Sequence, residues 1–241
     1  MWLFEKHYSL KDSGLFRGFT DWHCHILPGV DDGVQVMDES LAILCLYEQL
    51  GVKTVWFTPH IMEDVPNTPV GLRERFQSLC RNYTGSIALH LAAEHMLDNL
   101  FEERLAADEL LPIGDGGNHL LVETSCYNPP MNLYSLLEEI LAKGYFPVLA
   151  HPERYAYMSE SDYRNLKEMR IRFQLNLPSL AGMYGEGVRK KALWLLRNDM
   201  YDLYGTDIHN LRVFTSILTR KSLDSKICKK LREIDPGFLG E

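Results

Sequence analysis

Residues 18–33 read GFTDWHCHILPGVDDG, an apolar run that ends in two histidines and passes directly into a turn rich in Pro, Gly and Asp. Successive side chains of a strand point to opposite faces, so His23 and His25 share a face and Cys24 turns away. Two imidazoles so placed can grip one metal ion, although an isolated HxH also fits two half-exposed histidines. In the turn that follows, a carboxylate can point back toward the histidines or simply cap the turn. Asp32 is the favoured ligand, with Asp31 an alternative ligand or a support behind the ligands.

Six further runs have the same β-rich character: KTVWFTPHI (53–61), SIALHLAAEH (86–95), HLLVETSC (119–126), FPVLAHPER (146–154), IRFQLNLP (171–178) and YDLYGTDIH (201–209). Amphipathic stretches separate them. In MDESLAILCLYEQLG (37–51), Ile43, Leu46, Tyr47 and Leu50 follow helical spacing, with Asp38 to cap the start and Gly51 the end. LYSLLEEILAKG (133–144) and VRKKALWLLRNDM (188–200) behave likewise. Strands alternating with helices imply a parallel α/β sheet, and seven of them in 241 residues favour a closed or nearly closed barrel. An open sheet is the alternative, since periodicity does not report closure.

The expected organisation is one domain over residues 1–241, with an N-terminal extension (1–18) and a peripheral helical tail from about residue 215. In the extension, Trp2, Leu3, Phe4, Leu15 and Phe16 are apolar enough to pack on the barrel or on a partner.

In a parallel barrel the C-terminal strand ends converge on one mouth. Here the runs end in His23 and His25, His60, Glu94, Glu123, His151, and Asp207 with His209; only the sixth, which ends in Pro, lacks such a residue. Glu94 and Glu123 close apolar runs, where a carboxylate is costly to bury unless a cation or hydrogen bonds meet it; a buried Arg or Lys is the competing partner. Arg154 follows His151 by three residues and is placed to clamp phosphate oxygens, or else to pair with Glu153 at the surface. His90, about 13 Å down the strand from Glu94, and His7, His95 and His119 read as structural or solvent-exposed. Histidines mixed with carboxylates, and no thiolate, suit manganese, iron or zinc in a reactive cluster. Neighbouring metals bridged by carboxylates can drive an in-line phosphoryl displacement.

The bulk properties exclude other classes. A net charge of −8 argues against nucleic-acid binding. No apolar run approaches the roughly 18 residues of a membrane span and no secretory pattern opens the chain, so a soluble cytoplasmic protein without membrane insertion is expected. Five cysteines without a CxxC pair suggest no disulfide framework, and none is followed by Arg six positions later, as a thiolate phosphatase loop requires.

Taken together, HCHILPGVDDG, TPHI, the isolated Glu94, VETS, AHPERY and TDIHN closely resemble the PHP (polymerase and histidinol phosphatase) superfamily, in order from about residue 19 to 210. Within it they are most similar to the metal-dependent tyrosine phosphatases of bacterial capsule and exopolysaccharide operons. The resemblance implies a distorted (β/α)7 TIM-like barrel holding three divalent ions, manganese favoured and iron or zinc alternatives. His23, His25, Glu94 and Asp207 would hold the first, Glu94, Glu123 and His151 the second, and Asp32, His60 and His209 the third. It further implies attack of a metal-bound hydroxide on phosphorus while Arg154 steadies the phosphoryl group. Relatives carry a second Arg a few residues beyond the DxHN stretch; Arg212 sits closer, and its reach to the phosphate is left open. The implied substrate is a phosphotyrosine protein such as the tail of a bacterial tyrosine kinase, in a polysaccharide-regulating role. A small phosphoester of the histidinol-phosphate type is the nearest alternative. An amidohydrolase-like barrel would commonly place Lys where Glu123 stands, and a degenerate binding module would lack ligands that this chain has.

Overall fold

The β-rich runs become parallel strands and the amphipathic stretches become helices packed around them, in a computed structural model that describes residues 6–234 and 239. A short strand β1 (Tyr8–Ser9) precedes β2 (Thr20–Cys24), α1 (Met37–Leu50), β3 (Thr54–Phe57), β4 (His60–Ile61), α2 (Pro69–Asn82), β5 (Ala88–Leu91) and β6 (Glu94–Met96). Then follow α3 (Phe101–Ala107), β7 (His119–Glu123), α4 (Leu133–Ala142), β8 (Phe146–Ala150), α5 (Glu160–Glu168), β9 (Arg172–Asn176) and α6 (Leu177–Leu180). The last elements are α7 (Glu186–Arg197), β10 (Leu203–Gly205), α8 (Leu211–Leu218), β11 (Lys221–Leu223) and α9 (Ser225–Glu233).

The parallel strands form two sheets, ordered β10-β9-β8-β7-β6-β4 and β2-β3-β5. The second and third runs are each broken in the middle, at Thr58-Pro59 and at Ala92-Ala93. Their first halves pair with each other and β2, their second halves with each other and β7. Proline has no N–H to give a ladder, which makes Pro59 a natural breaking point. The first and last runs are joined by backbone hydrogen bonds, His25 N–H to Ile208 O at 2.9 Å and Asp207 N–H to His23 O at 2.7 Å. The sheet therefore curls round on itself as a distorted barrel of the PHP type, and an open sheet does not describe it.

Strand alternation sorts the core. Val55, Phe57, Leu120, Val122, Leu149, Phe173 and Leu175 join the main cluster beneath the helices, whereas Trp56, Leu121, Val148 and Leu203 form a small separate cluster inside the barrel. The register of β2 slips between Asp21 and Cys24. Trp22, stacked on Trp56 at 5.9 Å, and His23 thus both face the interior, as a bulge allows.

Two expectations need amendment. Residue 36, Val, is the N-cap of α1 and makes no side-chain cap; Asp38 lies inside the first turn, where its charge faces the positive helix end. Gly51 does end that helix, at φ 93°. The stretch beyond residue 215 is not wholly helical, because β11 lies between two helices and pairs antiparallel with β1. Leu15 and Phe16 are buried, Phe16 edge-on to Phe214 at 6.1 Å, while Trp2, Leu3 and Phe4 fall outside the described residues. Among the described residues no helix is long and apolar enough to cross a membrane.

Candidate metal centre

At the C-terminal ends of the strands, His23 and His25 leave β2 with their Nε2 atoms 3.0 Å apart. The turn behind them is folded back by two backbone bonds, Val34 N–H to His25 O and Gly29 N–H to Val34 O. Only glycine fits at position 33, since a Cβ there would lie 2.0 Å from His25 O. This fold-back separates the two aspartates. The buried Asp31 carboxylate accepts His25 Nδ1–H at 2.9 Å and the backbone N–H groups of His60 and Gly33, so that His25 presents Nε2 to the cavity. Asp32 reaches outward, 71% exposed, with Oδ1 3.4 Å from His60 Nε2 and 3.5 Å from His209 Nε2.

Glu94, at the start of β6, lies at the centre. Its Oε2 is 3.3 Å from Nε2 of both His23 and His25 and 3.2 Å from His60 Nδ1, and its Oε1 is 3.0 Å from His151 Nε2. Glu123, ending β7, places Oε1 2.9 Å from His60 Nδ1 and Oε2 3.7 Å from His151 Nε2. Asp207 Oδ1 is 3.5 and 3.4 Å from the Nε2 atoms of His23 and His25. His151 and Asp207 both have left-handed backbones, φ 35° and 48°, where the chain turns sharply off its strand. Non-glycine residues adopt that conformation only when their surroundings enforce it, as is common at functional sites.

Ligand-type atoms gather within 4.8 Å of one another in three overlapping groups: His25, Asp32, His60 and His209; His23, His25 and Asp207; His60, Glu94 and Glu123. This is the geometry of a three-metal site. It differs in detail from the grouping implied by resemblance, because His60 stands with Glu94 and Glu123, while His151 Nε2 lies 3.0 Å from Glu94 Oε1 and 3.7 Å from Glu123 Oε2.

The buried donor set fits cations. His60 Nδ1, Glu94 Oε2 and Glu123 Oε1 make no directed hydrogen bond although both carboxylate oxygens lie within 3.2 Å of His60 Nδ1, and His151 Nδ1 is likewise without one. Buried polar atoms so placed are costly unless something positive sits among them. Electrostatics point the same way. Burial opposes protonation of His60, but Asp32, Glu123 and Glu94 outweigh it and push its pKa up to about 12. Glu94 and Asp207 do the same to His23 against its burial, up to about 9. Burial would raise Glu94 and Asp207; the surrounding histidines hold both below the usual carboxylate range. The cluster attracts positive charge, and protons occupy it when nothing else does.

Arg154 lies at the rim. Its Nη1 donates to Asp207 Oδ2 at 3.1 Å and its guanidinium packs on the Tyr184 ring at 4.6 Å. Burial opposes its charge, yet Asp207 keeps it firmly protonated. Arg212 is exposed on the first turn of α8 and is absent from the cavity wall, which at that corner is made by Asn210 and Val213.

Several supporting residues escaped sequence reasoning. Gln174 Oε1 is 2.8 Å from His23 Nδ1 and also accepts the His151 backbone N–H. Asp207 Oδ2 accepts from Asn176 Nδ2 and from Tyr184 OH. Gln174 and Asn176 belong to the sixth run, and a signal for them existed: two amides at i and i+2 in an otherwise apolar strand share a face. Tyr184 comes from a loop and carried no signal. Below the cluster, buried Asp21 accepts from Tyr47 OH at 2.6 Å and from the Thr206 hydroxyl and backbone N–H.

Of the other histidines, His90 stacks on Trp56 at 4.6 Å, His95 accepts Leu111 N–H, His119 is buried and His7 exposed.

The chain matches a family model described as capsular polysaccharide synthesis, CpsB/CapC, over residues 19–227. The tyrosine-protein phosphatase YwqE of Bacillus subtilis is 30% identical over 198 residues, covering 80% of this chain and 78% of that protein. The tyrosine-protein phosphatase CpsB of Streptococcus pneumoniae is 29% identical over 204 residues, covering 79% and 83%. Among solved structures, a chain from the work on YwqE and CpsB as metal-dependent tyrosine phosphatases superposes with a TM-score of 0.76 at 26% identity, over 92% of this chain and 89% of that one. By this family match, by those relatives and by the barrel that carries the cluster, the chain belongs to the CpsB/CapC family of capsular polysaccharide synthesis.

Proposed function

We propose that the chain hydrolyses phosphotyrosine in proteins, using three manganese ions held by His23, His25, Asp32, His60, Glu94, Glu123, His151, Asp207 and His209. Its class is that of a metal-dependent phosphatase related to the CpsB/CapC tyrosine phosphatases. The observation that carries the reading is the set of three overlapping ligand groups with a charged Arg154 at its rim.

Held by these residues, divalent cations would supply Lewis-acid chemistry, neutralising phosphoryl oxygens and lowering the pKa of water. The chain's own residues do the rest. Asp31 fixes the tautomer of His25 by accepting its Nδ1–H, and Gln174 plays the corresponding part for His23. Asn176, Tyr184 and Arg154 all donate to Asp207 Oδ2, which leaves Oδ1 turned toward His23 and His25. A phosphate group entering the cavity meets the Arg154 guanidinium, whose planar donors suit two phosphoryl oxygens. Met62, Met96, Met183 and Tyr184 line the same cavity and offer polarisable contact to an aromatic ring. A thiolate nucleophile is absent from this scheme: Cys126, next to Arg154, has its thiol pKa raised by burial. All five cysteines are free, in keeping with the reducing cytoplasm in which this reading places the enzyme.

The test is metal content together with phosphate release from a phosphotyrosine peptide, with and without added manganese, beside a His151→Ala control and histidinol phosphate as the comparison substrate. Two to three metals per chain and peptide hydrolysis abolished by chelator and by the substitution are expected. Bound metal with hydrolysis of histidinol phosphate alone would move the substrate to a small phosphoester, and a chain that takes up no metal after reconstitution would sink the reading.

A further inference from the structure

The cavity lined by the candidate metal ligands, about 360 Å³, shares walls with two neighbouring grooves at the barrel mouth. On one side Arg154 and Tyr184 also line a groove of about 530 Å³, closed by Cys126, Tyr127, Val188 and Lys191. On the other side Met96 is common to a groove of about 730 Å³ that carries Asp98, Glu102 and Met131. A cavity of that volume suits a group the size of one tyrosyl phosphate, and the flanking grooves offer space for a longer ligand. Large apolar side chains stand exposed around the mouth: Tyr127 on the first groove is 78% exposed, Met131 on the second fully so, and Met183 on the central cavity 42%. Large apolar side chains left in water around one opening mark a binding surface.

Charge gives the surface a direction. Among the described residues, Glu153 is the one carboxylate lining the groove beside Arg154, and it is turned inward. Its Oε1 accepts Asn176 N–H and the Ser179 hydroxyl, and its Oε2 accepts Tyr201 OH. Of the two cations on this groove Arg154 is already paired with Asp207, which leaves Lys191. The Lys191 ammonium donates to the carbonyl oxygens of Tyr155 and Met158 and retains a third N–H. The opposite groove carries the carboxylates Asp98 and Glu102.

We propose that the groove between Tyr127 and Lys191 is a subsite for the polypeptide segment beside the phosphotyrosine, in which an acidic side chain pairs with Lys191 while Tyr127 and Val188 cover apolar atoms of the same segment. The subsite rests on the phosphotyrosine reading. It adds to that reading a sequence preference which a phosphatase recognising only the tyrosyl phosphate would lack.

The experiment compares the manganese-loaded chain with Lys191→Met and Val188→Asp. The substrates are phosphotyrosine peptides carrying glutamate or glutamine on either side of the phosphotyrosine, and p-nitrophenyl phosphate. The unsubstituted chain is expected to favour a glutamate peptide in kcat/KM by about fivefold, the upper range for a partly exposed ion pair. Lys191→Met is expected to remove that preference and Val188→Asp to remove or invert it, with p-nitrophenyl phosphate turnover unchanged within about twofold. The subsite is overturned if the unsubstituted chain shows no preference, if the preference survives both substitutions, or if turnover of the small ester falls in parallel with that of the peptides. Turnover of p-nitrophenyl phosphate with no cleavage of any peptide overturns the phosphotyrosine reading itself, and the subsite with it.

Discussion

Replacing Gly205 with alanine probes how tightly the barrel wall holds the first histidine. Gly205 ends β10, and a Cβ added there would lie 2.6 Å from His23 Cβ and 2.7 Å from His23 N. Ordinary contact begins at 3.4 Å, so β2 and β10 must part by about 0.8 Å (3.4 − 2.6) just where Asp207 N–H bonds to His23 O. The atoms in the way include backbone, which does not rotate aside. Overpacking of this kind costs about 1–3 kcal/mol. For a chain of this length each kcal/mol is worth roughly 2–4 °C, which gives a Tm loss of roughly 2–12 °C. The same displacement carries His23 away from Glu94 and Asp207, and misplacement near 1 Å costs on the order of 100-fold in rate. Thermal melts, metal content and kcat on a phosphotyrosine peptide measure the three effects. Gly187→Ala is the matched control: a Cβ there meets nothing within 4 Å, and in α7 alanine is expected to be neutral or to stabilise by up to about 1 kcal/mol. If Gly205→Ala keeps the Tm, metal content and kcat of the parent, the described contact between β10 and His23 is wrong.

Asp31→Asn removes the charge behind His25 Nδ1, and metal affinity, followed by competition with a chelator, is expected to weaken on the order of 10–100-fold; unchanged affinity would deny Asp31 its supporting part. Tyr47→Phe takes a donor from the buried Asp21 carboxylate and is expected to cost about 1–3 kcal/mol in denaturant unfolding, whereas a change under about 0.5 kcal/mol would mean that Thr206 suffices. In the metal-free chain His23 has its pKa raised from 6.5 to about 9, so its contribution to stability is fully present below pH 6.5 and is lost as pH rises toward 9. Glu94 and Asp207, lowered from 4.5 and 3.8, contribute above those values and lose their contribution as pH falls below them. Metal-free stability is therefore expected to peak between about pH 4.5 and 6.5. Since metals must displace the protons on His23 and His60, loading should shift that optimum upward; melts with an unchanged optimum would count against these histidines as ligands.

The strands and their order were legible because the signals are local. A run such as LLVE or VWFTPH shows its β character, its parity and its terminal donor within a few residues, and parallel connectivity makes all such termini meet. That is why His23, His60, Glu94, Glu123, His151 and Asp207, spread over most of the chain, were found together. The division of labour between Asp31 and Asp32 was not legible, because neighbours in a turn have identical chemistry and only the fold-back around Gly33 aims one inward and the other out. Arg212 shows the opposite limit: a plausible residue type beside the motif, placed by the first turn of α8 on the exposed surface.

The sequence by itself determined the alternating α/β architecture, the donors at the strand ends and the family, since each depends on residue type and short-range period. The tertiary structure alone decided that the second and third strands break so that their halves join different sheets, and that first and last strands meet through His23, His25, Asp207 and Ile208. It also decided that Gln174, Asn176 and Tyr184 brace the ligands. Those outcomes depend on contacts between residues as many as 184 positions apart (207 − 23), as in the Asp207 N–H to His23 O bond. No local pattern encodes such distances; the curvature of the closed sheet sets them.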